Sequence, residues 1–109
     1  NLPDDKPVAG TTRSSGRTAV FVKDSCAACG QLVQRLQSSG AEFDLYMVGS
    51  RQDEGRIRDW AKRANVDPAR VRSGTITLNH DGGRWLSLGL PGDLPAVVRE
   101  VNGQWQRQP

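Results

Sequence analysis

Between Thr18 and Val48 the hydrophobic period changes twice, and nothing else in the chain constrains the fold as much. Thr18 to Lys23 is a β-branched, apolar run, the pattern of a buried strand. From Cys26 to Ser38 the residues Cys29, Leu32, Val33 and Leu36 recur at helical spacing, so one helix face is expected to be buried. Ser25 suits the N-cap. Ser38-Ser39-Gly40 suits the helix end, with Gly40 free to take the left-handed conformation found there. Phe43 to Val48 returns to strand character. Strand, helix and strand joined by short links make a βαβ unit, which closes right-handed with its strands parallel. The expected class is α/β.

The rest of the chain is read on the same grounds. Gly49-Ser50 breaks the second strand. Asp53 to Ala64 is a charged helix with Ile57, Trp60, Ala61 and Ala64 on its apolar stripe. Asn65-Val66-Asp67-Pro68 interrupts it, and Asp67 caps a short helical turn that starts at Pro68 and runs through Val71. Thr75 to His80 alternates in β fashion, Asp81-Gly82-Gly83 is turn chemistry, and Arg84 to Leu88 returns, so a β-hairpin is expected near 75–88. After a loop at 89–93, Leu94-Pro95 leads into Ala96 to Val101. Asn102-Gly103 is a two-residue hairpin signal, with Gln104 to Arg107 as the return strand. Residues 1–16 carry Pro3, Pro7, Gly10 and Gly16 and read as a flexible N-terminal segment. One domain is expected over 17–109.

Composition narrows the function classes. The chain has 109 residues, 36% apolar and 25% charged, with a net charge of +3. Twelve of its fifteen cations are arginines, spread from Arg13 to Arg107 rather than clustered with aromatics, which make up only 6%. That spread argues against a nucleic-acid groove. No apolar run approaches the ~18 residues that a membrane span needs. The start, Asn1-Leu2-Pro3-Asp4-Asp5, lacks Met and lacks the basic and apolar parts of a signal peptide, so the expectation is a mature or trimmed form, which is compatible with export but does not show it.

The only two cysteines, Cys26 and Cys29, stand at the first strand-to-helix junction. A Cys-x-x-Cys pair there is the layout of a thiol–disulfide site. Disulfide exchange needs a thiolate that attacks and a second thiol near enough to resolve the mixed disulfide. Cys26, at the helix start, would be stabilised as a thiolate by unpaired backbone N–H groups and the helix dipole, so its pKa should fall below ~8.5. Cys29, a turn deeper, is the expected resolving thiol. Two alternatives stay open. A purely structural disulfide gains little, because closing a four-residue loop is worth ~2 kcal/mol against ~4.7 for a hundred residues on the chain-entropy argument. A zinc site would need both thiolates, His80 and a carboxylate. No metal or other cofactor is expected.

Other residues carry weaker signals. Lys23 and Asp24 flank the pair and would shift the Cys26 pKa in opposite directions. Ala27 and Ala28 contribute no polar group to it. His80-Asp81 is read as turn chemistry. Trp60, Trp85 and Trp105 are read as packing residues, with Trp85 the nearest to a site role. Arg51, Arg56, Arg58, Lys62 and Arg63 form the solvated face of a helix or a docking surface for an acidic partner.

With these parts in order, residues 17–107 resemble the thioredoxin fold. The resemblance implies a three-layer fold around a central mixed sheet. It makes Pro95 a cis-proline facing the cysteines and holding a substrate's extended backbone, with Leu94 tuning substrate and redox behaviour. Two departures are the hairpin at 75–88, which would be an insertion, and the lack of a helix after the last strand. More narrowly, five segments resemble a family of small proteins encoded by bacterial integrating conjugative elements. They are Asp44–Gly49, Arg56–Ala61, Asp67–Val71, Ile76–Trp85 and Leu94–Val98. That likeness implies an exported, periplasmic protein serving the conjugation machinery, although Cys-x-x-Cys enzymes also work in the cytoplasm. The expected activity is thiol–disulfide exchange on exported proteins, assisted by a redox partner protein. Ala27-Ala28 points to a reductase or isomerase-like poise. The alternative is a non-catalytic binding or assembly module.

Overall fold

The computed structural model describes residues 17 to 108; the expected flexible segment at 1–16 and Pro109 lie outside the described residues. In chain order the elements are β1 (Thr18–Lys23), α1 (Ala27–Ser38), β2 (Phe43–Val48), α2 (Glu54–Arg63), α3 (Pro68–Ser73), β3 (Ile76–His80), α4 (Arg84–Leu88), β4 (Ala96–Val101) and β5 (Gln104–Arg107). The strands form one mixed sheet in the order β3-β2-β1-β4-β5. β1 and β2 are parallel, from Thr18 opposite Phe43 to Lys23 opposite Val48. β3 extends the parallel part beside β2. β4 lies antiparallel to β1 on the other side, with Phe21 opposite Ala96. β5 folds back on β4 through Asn102-Gly103, both at positive φ, the conformation that a tight hairpin with native twist requires.

Strand alternation divides the core between the two sheet faces. On one face Val20, Val22, Phe43, Leu45, Met47 and Ile76 pack with Cys29 and Val33 of α1 and with Ile57, Trp60 and Ala61 of α2. On the other, Ala19, Phe21, Ala96 and Val98 pack with Tyr46, Trp85, Leu88, Leu90 and Trp105. Phe21 has no exposed surface and lies 5.2 Å from the Tyr46 ring and 5.3 Å from that of Trp85. The three tryptophans therefore pack, as their sequence setting predicts.

One expected element is different. Arg84 to Leu88 is a helix, not a strand, and β3 pairs in parallel with β2 rather than with a hairpin partner. There is no inserted hairpin at 75–88; β3 is the edge strand of the main sheet. Asp81 decides the turn. Its N–H donates to Met47 O at 3.1 Å, and its carboxylate accepts from the N–H groups of Gly83 (3.0 Å) and Trp85 (2.8 Å). Those bonds start α4 and aim Trp85 and Leu88, three residues apart, at the second core.

The ends of α1 and α2 follow one design. After α1, Gly40 takes φ +79°, Gly40 N–H donates to Gln37 O and Ala41 N–H to Leu36 O. After α2, Asn65 takes φ +59° with the matching pair of bonds, Asn65 to Lys62 and Val66 to Ala61. Both are Schellman caps, with Gly in one case and Asn in the other. Gln37 then joins the helices: its Oε1 accepts from Asp67 N–H at 2.7 Å and its Nε2 donates to Asn65 O at 3.0 Å. This fixes α1, and the cysteines at its start, against the α2–α3 connection.

Candidate active site

β1 ends at Lys23, and Asp24-Ser25 turns the chain into α1. The N-cap is Cys26 rather than the expected Ser25, and its sulfur accepts from Cys29 N–H at 3.1 Å. A sulfur in the cap position meets the first unpaired amides of the helix directly. Cys26 and Cys29 are joined in a disulfide, with Cα atoms 5.3 Å apart. Cys29 is fully buried in the first core, whereas Cys26 is partly exposed. The two sulfurs of one bond thus differ in access, and an incoming thiolate can reach only the outer one.

Leu94 stands against the pair. Its carbonyl oxygen is 3.9 Å from Cys26 Sγ. In the disulfide Cys26 has no proton to give; once reduced, its thiol can donate to this oxygen. Leu94 packs on both cores, and the Leu94–Pro95 peptide bond is cis. The register of β4 on β1, ending at Phe21 opposite Ala96, is what brings Leu94 and Pro95 beside the end of β1.

Of the flanking residues, Lys23, Ala27 and Ala28 are exposed. Asp24 is committed to α2: its carboxylate accepts from Arg56 Nη1 at 3.3 Å and pairs with Arg63 Nη2. Two members of the expected solvated arginine face thus turn toward the loop before Cys26. Such half-exposed pairs add little stability, but they set the charge beside the sulfur. A depression of about 250 Å³ opens here, lined by Asp24, Cys26, Ala27, Gly30, Trp60, Arg63 and Ala64. A second, of about 310 Å³, continues it along Arg56 and Asp59.

His80 lies elsewhere. It ends β3, two strands from β1, and its Nδ1 hydrogen-bonds the buried Ser50 hydroxyl. Neighbouring strands are ~4.8 Å apart, so β2 alone puts ~10 Å between His80 and the end of β1. Among the described residues no group of three or more His, Cys, Asp or Glu side chains could hold a metal ion. No helix among them is long and apolar enough to cross a membrane.

Sequence reasoning misses one residue near the site. Arg107 of β5 donates from Nη1 to Pro91 O and from Nη2 to Asp93 O, both at 2.6 Å, and from Nη2 to Pro95 O at 3.2 Å. Backbone carbonyls leave no mark in a sequence, so nothing in it points to this contact. Set against protein-family models, curated proteins and solved structures, the chain matches none.

Proposed function

We propose that the protein is a thioredoxin-like thiol–disulfide oxidoreductase working through Cys26 and Cys29. One observation carries this reading: a single disulfide with its outer sulfur at a helix N-terminus, its inner sulfur buried, and the Leu94 carbonyl 3.9 Å from the outer one. In the reducing direction, the Cys26 thiolate attacks one sulfur of a substrate disulfide. A Cys26–substrate disulfide forms and the other substrate sulfur leaves as thiolate. Cys29, deprotonated, then attacks Cys26 Sγ and releases the second substrate thiolate. Two electrons pass to the substrate, and Cys26–Cys29 is left oxidised until a dithiol partner protein reduces it.

The family likeness suggests exported proteins of a conjugative transfer apparatus as substrates. Ala27 and Ala28 add no polar stabilisation to the thiolate beyond the helix terminus, which favours a reducing or isomerising poise over a strongly oxidising one. The test is reduction of insulin by dithiothreitol, followed by turbidity. The expected result is acceleration by the wild-type chain and none by Cys26→Ser. Equal, uncatalysed rates for both would reject exchange and leave the binding or assembly module.

A further inference from the structure

Arg107 touches neither cysteine, yet it organises the segment that faces them. Its guanidinium donates to three carbonyls of one loop, those of Pro91, Asp93 and Pro95. Leu94, whose own carbonyl oxygen is 3.9 Å from Cys26 Sγ, lies between the last two. The base of the arginine is fixed from the other side. β5 pairs Arg107 with Val98 of β4, and the next residue, Gln108, donates its N–H to Val97 O at 2.7 Å. The guanidinium also stands 6.0 Å from the centre of the Trp85 ring, beside the second core. A planar group with five N–H donors can satisfy several carbonyls at once, which an ammonium cannot do in the same geometry.

Gly92 gives an independent sign that the loop is shaped around this side chain. Its φ is +96°, and a Cβ built there would collide with Arg107 Nη1 and lie 3.0 Å from its Cζ. The end of an arginine normally yields to such an intrusion. Here, yielding would break its bonds to Pro91, Asp93 and Pro95.

We infer that Arg107 is a positioning residue: it latches loop 91–95 so that the Leu94–Pro95 segment is held at the distance from Cys26 at which a substrate chain docks. The inference rests on the exchange reading above. A latched loop presents its backbone already ordered, so the substrate does not bear the cost of ordering it. Loss of the latch should therefore weaken docking more than chemistry.

The experiment compares wild type with Arg107→Gln and Arg107→Lys by insulin-reduction kinetics and by amide hydrogen exchange over residues 90–98. For Arg107→Gln, KM should rise at least fivefold with kcat within about twofold, and exchange in the loop should quicken at least tenfold while that of β1 is unchanged. Arg107→Lys should fall between the two, since it can serve only part of the carbonyl set. Unchanged KM and unchanged loop exchange would overturn the latch. So would equal loss of kcat and kcat/KM with faster exchange throughout the sheet, which would mark a merely structural arginine. If the wild-type chain itself shows no exchange activity, the active-site reading fails and docking control fails with it, while the hydrogen-exchange comparison still decides whether Arg107 orders the loop.

Discussion

Asp24, two residues ahead of Cys26, is paired across the site depression with Arg63 of α2. With Arg56 also on Asp24, the cluster places one negative and two positive charges near a sulfur whose reactive form is an anion. An unpaired carboxylate there would disfavour the thiolate, and a guanidinium favours it.

Removing either charge should therefore move Cys26 reactivity in opposite directions. Arg63→Met should slow alkylation of the reduced pair by iodoacetamide at pH 7, and Asp24→Asn should speed it. Both charges are partly exposed, where water weakens such interactions, so each change should be no more than a few-fold. The effect should fade in 1 M salt, where screening shortens to ~3 Å.

On the proposed exchange reading the buried Cys29 is the resolving thiol, so its loss should stop the reaction half-way. Reduced Cys29→Ser mixed with a disulfide substrate should accumulate a Cys26-linked adduct, visible on a non-reducing gel and removed by dithiothreitol. Cys26→Ser should form none. Adducts formed equally by both variants would reverse or abolish the assignment of roles.

Phe21 is the centre of the second core, fully buried between Tyr46 and Trp85. Phe21→Ala should cost about 3–5 kcal/mol of stability in a urea titration, the usual cost of emptying such an aromatic site. A loss below about 1 kcal/mol would mean that α4 and the loop above it collapse freely into the space.

Gly30 follows the buried Cys29 inside α1, where glycine is a poor helix former. A Cβ there would meet Ala64 Cβ at 3.9 Å, an ordinary contact. Gly30→Ala should thus stabilise the fold by about 0.5–1 kcal/mol. Gly30→Leu, in contrast, would project into the depression beside Cys26 and should slow reduction of a protein disulfide more than alkylation by iodoacetamide.

The parts of this fold that are legible in its sequence are those governed by local pattern. The period change from β1 to α1 and back to β2 is written in Val20, Val22, Cys29, Val33, Phe43 and Leu45, all of them fully buried. Asp67 announces the helix that it caps, Asp53, expected as the first helical residue, is the N-cap of α2 instead, and Asn102-Gly103 announces its turn. The region 81–88 is ambiguous locally, because Asp81-Gly82-Gly83 can close a hairpin or open a helix. Its outcome is set by Met47, more than thirty residues earlier, whose carbonyl takes the Asp81 N–H. For the site, the cysteine spacing points to Cys26 and Cys29, while Leu94 and Pro95 are what the thioredoxin-fold resemblance implies. The sequence reveals neither that Arg56 and Arg63 reach Asp24 nor that Arg107 holds the loop, since both contacts join segments with no shared pattern.

Cys26 and Leu94 are 68 residues apart in sequence and meet only because β4 closes on β1. A chain made from its N-terminus toward its C-terminus therefore exposes both thiols well before the segment that faces them has been synthesised. Through that interval, α1 can form and the cysteines can react with whatever disulfide or oxidant they meet. Under the proposed exchange reading, selectivity toward a substrate belongs to the finished sheet alone, because only there does Leu94 stand beside Cys26.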